Sequence, residues 1–428
     1  TVKSDIWSYT YGGVGDDHNR GLIITKNGDY VLNGITDSFD TSNDDWWITR
    51  VNPEGEILWE KSFDWGGQDI SRSVIETNDN GLIIIGDVAS LDSSRDAIVL
   101  KLTGNGAFVW QTTFPAGSAQ RMLHSAIEVQ NEDILLVGEI NMGDEETWLI
   151  RLNSEGSVIW EKSVDGAEAF NIIETSDGHF LITGRTSKSG AGGFDVWVLK
   201  ITQDGDTVWQ KTYGGMNSDS PGHMVETMNH EFVISGTTES FSAGVVDGWV
   251  IMINQDGKIL WEKSFGGEKI DVLGLIVETR SNDFIVAGYT QSFGSGGQDI
   301  WEMKLDYSGS IIWQRSLGGY NDEVGENLLI GNEEEITISG ETKSFGSGGF
   351  DFWLIKMDNE GKVGSCTYSR EIQVETQATS AAINDTDFTI QSIVSETKES
   401  SYVMKDTSAL MSYVCSPNVR YIPIVNRH

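Results

Sequence analysis

Cysteine is nearly absent: Cys366 and Cys415 are the only two in 428 residues. No C-x-x-C or C-x-x-C-H occurs, which excludes thiolate metal clusters and a c-type haem. No run of about 18 apolar residues exists, so no transmembrane helix is expected. Basic residues are few, 29 Lys and Arg against 65 Asp and Glu, a formal charge of −36. Such a chain does not offer nucleic acid or an anionic membrane a broad electrostatic surface, and the ions it attracts are cations. Histidines number six, at positions 18, 124, 179, 223, 230 and 428, and no two share a metal-ligand spacing. A G-x-S-x-G elbow, a P-loop and a dinucleotide fingerprint are all missing. With only five prolines and 38% hydrophobic residues, the composition is that of a folded chain.

Glycine and tryptophan are abundant, at 49 and 15. Tryptophan recurs at 7, 59, 110, 160, 209, 261 and 313, spaced by 52, 51, 50, 49, 52 and 52 residues. A second column precedes the first by about 12 residues: Trp47, Ile98, Trp148, Trp197, Trp249, Trp301 and Trp353. An acid stands two residues before each member: Asp45, Asp96, Glu146, Asp195, Asp247, Asp299 and Asp351. Each unit reads as four short strands with alternating, β-branched and aromatic residues, and no segment holds a helical period. Turns such as N-P-E-G and N-Q-D-G join the third and fourth strands, where glycine supplies the positive φ of a tight hairpin.

Four antiparallel strands repeated about every 50 residues are the blades of a propeller. The first strand type occurs seven times. The fourth also occurs seven times, but its first copy, residues 5–11, precedes any first strand. The seventh unit has three strands and then G-K-V-G-S-C. The N-terminal strand therefore completes the seventh blade, and the predicted fold is an all-β, seven-bladed propeller over residues 1–362, closed on itself.

Runs such as S-F-G-S-G-G-Q-D-I-W, I-L-W-E-K-S-F-G-G and W-Q-K-T-Y-G-G resemble the repeats of secreted bacterial and archaeal β-propeller repeat proteins, over roughly residues 5–362. The resemblance implies an extracellular or cell-surface setting, often within larger surface proteins, and usually no assigned catalysis. Ile98 departs from the tryptophan column in blade 2. P-A-G-S and V-D-G-A replace the aromatic-G-G of blades 3 and 4.

The loops after the fourth strands and those between second and third strands converge on one face. Asp16, Asp17, Asp40, Asp44 and Asp45 make its blade-1 side acidic. Calcium on Asp16, Asp17, Asp40 and Asp44 is one reading, because hard cations take several oxygens; solvated turns are the simpler one. The acid column at the third strand reads as a repeated hairpin cap. Glu76, Glu128, Glu174, Glu226 and Glu278 read likewise as repeated structural bonds, with an axial carboxylate ring as the alternative. Trp65, outside both columns, is either an exposed contact aromatic or part of the core.

Residues 363–415 leave the repeat, with Ser and Thr in strand-like stretches bracketed by Cys366 and Cys415. A disulfide between them agrees with an oxidising location; two reduced, buried thiols are the alternative. Asn384 opens a lone glycosylation sequon. Residues 416–428 carry Arg420 and Arg427 with the apolar set Val419, Tyr421, Ile422, Ile424 and Val425. This segment either packs on its own propeller or docks on a neighbouring copy by strand addition. The expected function is therefore a non-catalytic extracellular subunit for adhesion, surface display or filament assembly, without a cofactor. Its partners would be a second copy or another surface protein. The alternative is a protein that binds or cleaves a glycan through the acidic loop face.

Overall fold

The computed structural model describes residues 6–39, 43–89, 94–117, 120–140, 145–363, 368–373, 375–386, 388–393 and 403–415. Blade 1 is formed by Asp17–Ile24, Tyr30–Thr36, Asp45–Val51 and Ile57–Asp64, all antiparallel. Blades 2 to 6 repeat it, opening at Asp69, Arg121, Glu168, Asp219 and Asp271. Blade 7 takes Glu323–Ile330, Ile336–Thr342 and Asp351–Met357 and borrows Trp7–Gly12, with Thr10 opposite Trp353. The closure read from strand counting is the observed one. The seven first strands touch in a closed cycle and line the axis. No helix among the described residues is long and apolar enough to cross a membrane.

Burial explains the second tryptophan column. Trp47, Trp148, Trp197, Trp249, Trp301 and Trp353 are all inaccessible, as is Ile98. Trp47 lies 4.5 Å, centroid to centroid, from Phe352 of the neighbouring blade. Burying each such ring contributes about 2–3 kcal/mol. The first column ties blade to blade. Its indole N–H donates to a carbonyl in the next blade's hairpin turn: Trp7 to Pro53, Trp59 to Gly104, Trp110 to Ser154, Trp209 to Gln255 and Trp261 to Tyr307, at 3.0–3.1 Å. The glycine closing the third-to-fourth strand turn of each of the seven blades has φ between 69° and 88° (Gly55, Gly106, Gly156, Gly205, Gly257, Gly309, Gly361), as the hairpin demands.

The tail is not a separate appendage. It circles the ring against chain order and adds a short fifth strand to six blades. Ser369–Glu371 pairs with blade 6, Glu375–Ala378 with blade 5, Ala382–Asp385 with blade 4 and Ile390–Ser392 with blade 3. Val403–Asp406 then pairs with blade 1 and Leu410–Cys415 with blade 7. These strands are too short to show alternation in sequence; what fixes them is the edge they cover. A recurring T-S-A reads the blade beneath. Thr379 and Thr407 accept from the indoles of Trp249 and Trp47, while the amides of Ala381 and Ala409 donate to Glu262 and Glu60. Asn384 lies on the blade-4 strand of this belt.

The two ends of the belt meet on blade 7. Tyr368 packs 5.3 Å from Trp353, in one cluster with Val363 and Val414. Cys366 and the Cys415 side chain lie outside the described residues, and no disulfide is found among those that are described. The segment with Val419, Arg420, Tyr421, Ile422, Ile424 and Val425 is likewise outside them.

Candidate functional site at the axial mouth

Every first strand carries a β-bulge near the loop face. Its register slips against the second strand between Asn19 and Gly21, Ser71 and Ser73, Leu123 and Ser125, Ala169 and Asn171, and Gly325 and Asn327. The slips in blades 5 and 6 fall between Pro221 and Met224 and between Val272 and Leu275. A bulge residue is unpaired and its side chain is re-aimed. Here the innermost strand carries it, so the residue faces the axis. The seven are Arg20, Arg72, His124, Phe170, Gly222, Gly274 and Glu326.

The result is lopsided. A Cβ on Gly222 would sit 2.3 Å from the Gly274 carbonyl oxygen, so the bulge of blade 5 admits no side chain at that position, whereas a Cβ on Gly274 of blade 6 would meet open space. Blades 7 and 1 to 4 present functional groups instead. Arg20 pairs with Glu326 at 3.2 Å, and His18 with Glu341 at 2.6 Å. Arg72 and Arg95 both hold the buried Asp87. His124 bonds Glu139 at 3.0 Å and meets Phe170 edge to face at 5.6 Å. Arg185 pairs with Glu168 at 2.8 Å, its guanidinium 4.4 Å from the Phe194 ring centroid.

Enclosure by the ring shapes the protonation of these groups. Burial pushes Glu326 up to about 7, with Glu341 adding and Arg20 opposing. The hydrogen bond that His18 donates to Glu341 raises the imidazole pKa. His223 opens to the channel yet is walled by protein, and that enclosure lowers its pKa. Tyr289 is raised by burial and by the charge of Glu326. The mouth thus joins a carboxyl poised near neutrality, a second carboxylate held by an imidazole, several guanidiniums and ring faces. Such a set offers hydrogen-bond partners for hydroxyl groups and a carboxyl from which a proton can be transferred.

The residues singled out in the sequence fall elsewhere. Asp16 accepts from the Phe350 amide, Asp17 is buried and accepts from Thr36 and Ser38, and Asp44 accepts from Gln68. They are tied on opposite flanks of blade 1, and Asp40 lies outside the described residues. Four members of the acid column cap loops as read: Asp195, Asp247, Asp299 and Asp351 accept from the amides of Ala191, Ala243, Ser295 and Ser347. Four members of the glutamate column make the repeated structural bond. Glu76, Glu128, Glu226 and Glu278 each accept from an amide in the preceding blade, of Lys26, Asn78, Ser176 and Met228.

His18, His124 and His223 stand on alternate blades and share no ligand position. Trp65 is partly buried and packs against the core, 4.9 Å from Trp46. It occupies the place of the second motif glycine, since its amide donates to Asp69 as that of Gly13 donates to Asp17. Sequence reasoning passed over Arg20, Arg72, Phe170, Glu326 and Glu341. For Arg20, Arg72 and Glu326 the available signal was the position three residues after the opening acid (Asp17, Asp69 and Glu323), which differs from blade to blade; Phe170 and Glu341 fall outside that rule.

A shallow cleft of about 580 Å³ lies on the opposite face, lined by Ser176, Asp177, Lys200, Trp209, His230 and Gln255. Ser176 Oγ sits 2.8 Å from His230 Nδ1 and donates to Glu226 at 2.6 Å. Glu226 approaches that same Nδ1, at 3.5 Å. The imidazole is therefore not placed between hydroxyl and carboxylate, and the trio lacks the geometry of a nucleophilic relay.

The fold defines the chain as a seven-bladed β-propeller with a strand belt. No family model matches the sequence. No curated protein matches it either. Among solved structures it is similar to a protein of unknown function from Dyadobacter fermentans, with TM-score 0.44, 12% identity, and 82% of this chain and 98% of that one covered. It is similar also to a polysaccharide lyase (TM-score 0.44, 9% identity, 80% and 90% covered). A third is an α-L-arabinofuranosidase from Fusarium graminearum (TM-score 0.42, 10% identity, 81% and 97% covered).

Proposed function

We propose that the protein acts on a glycan at the axial mouth. The observation that carries this reading is the pairing of Glu326, raised to about 7, with the Glu341–His18 couple beside it. Two carboxyl groups whose surroundings treat them differently are the equipment of glycoside cleavage: one donates a proton to the leaving oxygen, the other supplies negative charge. Glu326 takes the first role and Glu341 the second. Arg20 and Arg72 bind hydroxyls or sugar carboxylates, and Phe170 and Phe350 offer ring faces. The extracellular setting implied by the repeat resemblance suits such a substrate.

The test is a panel of polysaccharides assayed for new reducing ends and, by absorbance, for unsaturated products. Wild type is expected to cleave at least one. Glu326→Gln should lower the rate at least 100-fold while binding persists, and Phe170→Ala should weaken binding. Equal rates in Glu326→Gln and wild type would overturn the assignment. The reading as an adhesion or filament subunit rests on the segment after Cys415. The described belt strands are all engaged with their own propeller.

A further inference from the structure

At four blade junctions the same small motif repeats. The third-strand acid of one blade and the first-strand acid of the next flank a glycine that ends the fourth strand: Gly12, Gly214, Gly266 or Gly318. The fit is tight. A Cβ on these glycines would lie 1.7–2.2 Å from Oδ1 of Asp351, Asp195, Asp247 or Asp299. Only two carboxyl groups share each of these gaps.

The junction between blades 1 and 2 breaks the pattern. Phe63 lies opposite Trp46 as Tyr11 lies opposite Phe352, so the next residue, Asp64, occupies the glycine's place. A third carboxylate thereby enters the gap between Asp45 and Asp69, and one oxygen from each lies within 4.8 Å of the others. Asp45 is 2% exposed and Asp69 fully buried. Asp45 Oδ2 is buried without a hydrogen-bond partner. The groups are otherwise anchored: Asp69 Oδ2 accepts from the Trp65 amide at 2.7 Å and Asp64 Oδ1 from that of Gly66 at 2.6 Å.

We propose that Asp45, Asp64 and Asp69 form a calcium site that pins blade 1 to blade 2. Three carboxylates converging in a buried gap repel one another unless a cation sits among them. The donors are all oxygen, with no thiolate or imidazole, which selects a hard cation over zinc or copper. Their irregular placement suits calcium better than the strict octahedron of magnesium. This inference is independent of the glycan reading.

Terbium(III) tests it on the full chain, stripped with chelator. Trp46 and Trp65 stand beside the site and sensitise lanthanide emission. Wild type should give saturable emission that calcium displaces and magnesium displaces poorly. Asp64→Gly restores the residue that four other junctions carry, so it should fold; it should lose the calcium-sensitive emission or weaken it at least 10-fold. Asp165→Gly is the control. Asp165 holds the same strand position in blade 3, opposite no first-strand acid, and pairs with Lys188; its loss should change nothing. Matching thermal unfolding of both variants in chelator checks the fold. Calcium-displaceable emission that survives in Asp64→Gly, or that never appears in wild type, overturns the proposal.

Discussion

At the outer wall of the ring the third strand carries tryptophan in six blades of seven, and the belt is built to meet it through Thr379 and Thr407. At the inner wall the bulge residue is arginine twice, then histidine, phenylalanine, glycine twice and glutamate. The two walls belong to the same 50-residue repeat, yet one is held constant and the other varies. Packing accounts for the difference. Each outer position faces the same neighbour in every blade, so one residue solves all seven cases. Each inner position faces the shared axis, where seven side chains must add up to a single surface.

Attacking the outer wall should have the largest effect. A chain ending at Val363 leaves the fourth strands of six blades as open edges. It should melt lower by roughly 10 °C or more and associate at concentrations where the full chain does not, as calorimetry and light scattering would show. Trp301→Ala removes one fully buried indole and should cost about 3–5 kcal/mol, visible as faster hydrogen exchange centred on blades 5 and 6.

A smaller, graded effect should follow pH. Asp45, Asp69 and Asp351 are raised to about 7, and Asp195 and Asp247 to about 6, chiefly by burial, from an ordinary 3.8. A raised folded pKa means that the folded chain holds protons that the unfolded chain releases. This contribution is fully present below about pH 4 and is lost as pH rises through 6 to 7. The melting temperature without calcium should therefore fall between pH 5 and pH 8. A rise over that range would contradict the burial of these acids. The smallest effect on stability belongs to the inner wall, where Phe170→Ala should cost under about 1 kcal/mol because the ring lies on an open channel.

The outer wall was legible because its signal is repetition: the Trp columns, the acid two residues before them and the N-x-D/E-G turns give blade number and closure by arithmetic. The belt was not. Its strands are three to six residues long, below the length at which alternation registers, and only the T-S-A at 379–381 and 407–409 hinted at a repeated partner. The inner wall was harder still. A single extra residue in a strand leaves no mark on hydrophobic pattern, and Arg20 and Glu326, 306 residues apart, meet only because the ring closes. Asp64 was hidden for a related reason: F-D-W-G-G offers a second glycine pair, which draws the alignment one motif too far.

The most direct test compares wild type with Glu326→Gln in pH–rate profiles on whichever polysaccharide the panel identifies. The account predicts that wild-type activity falls as pH rises past about 7, where the Glu326 carboxyl loses its proton, and that the variant lacks both the activity and that limb. An unchanged profile in the variant would place the chemistry somewhere other than the axis.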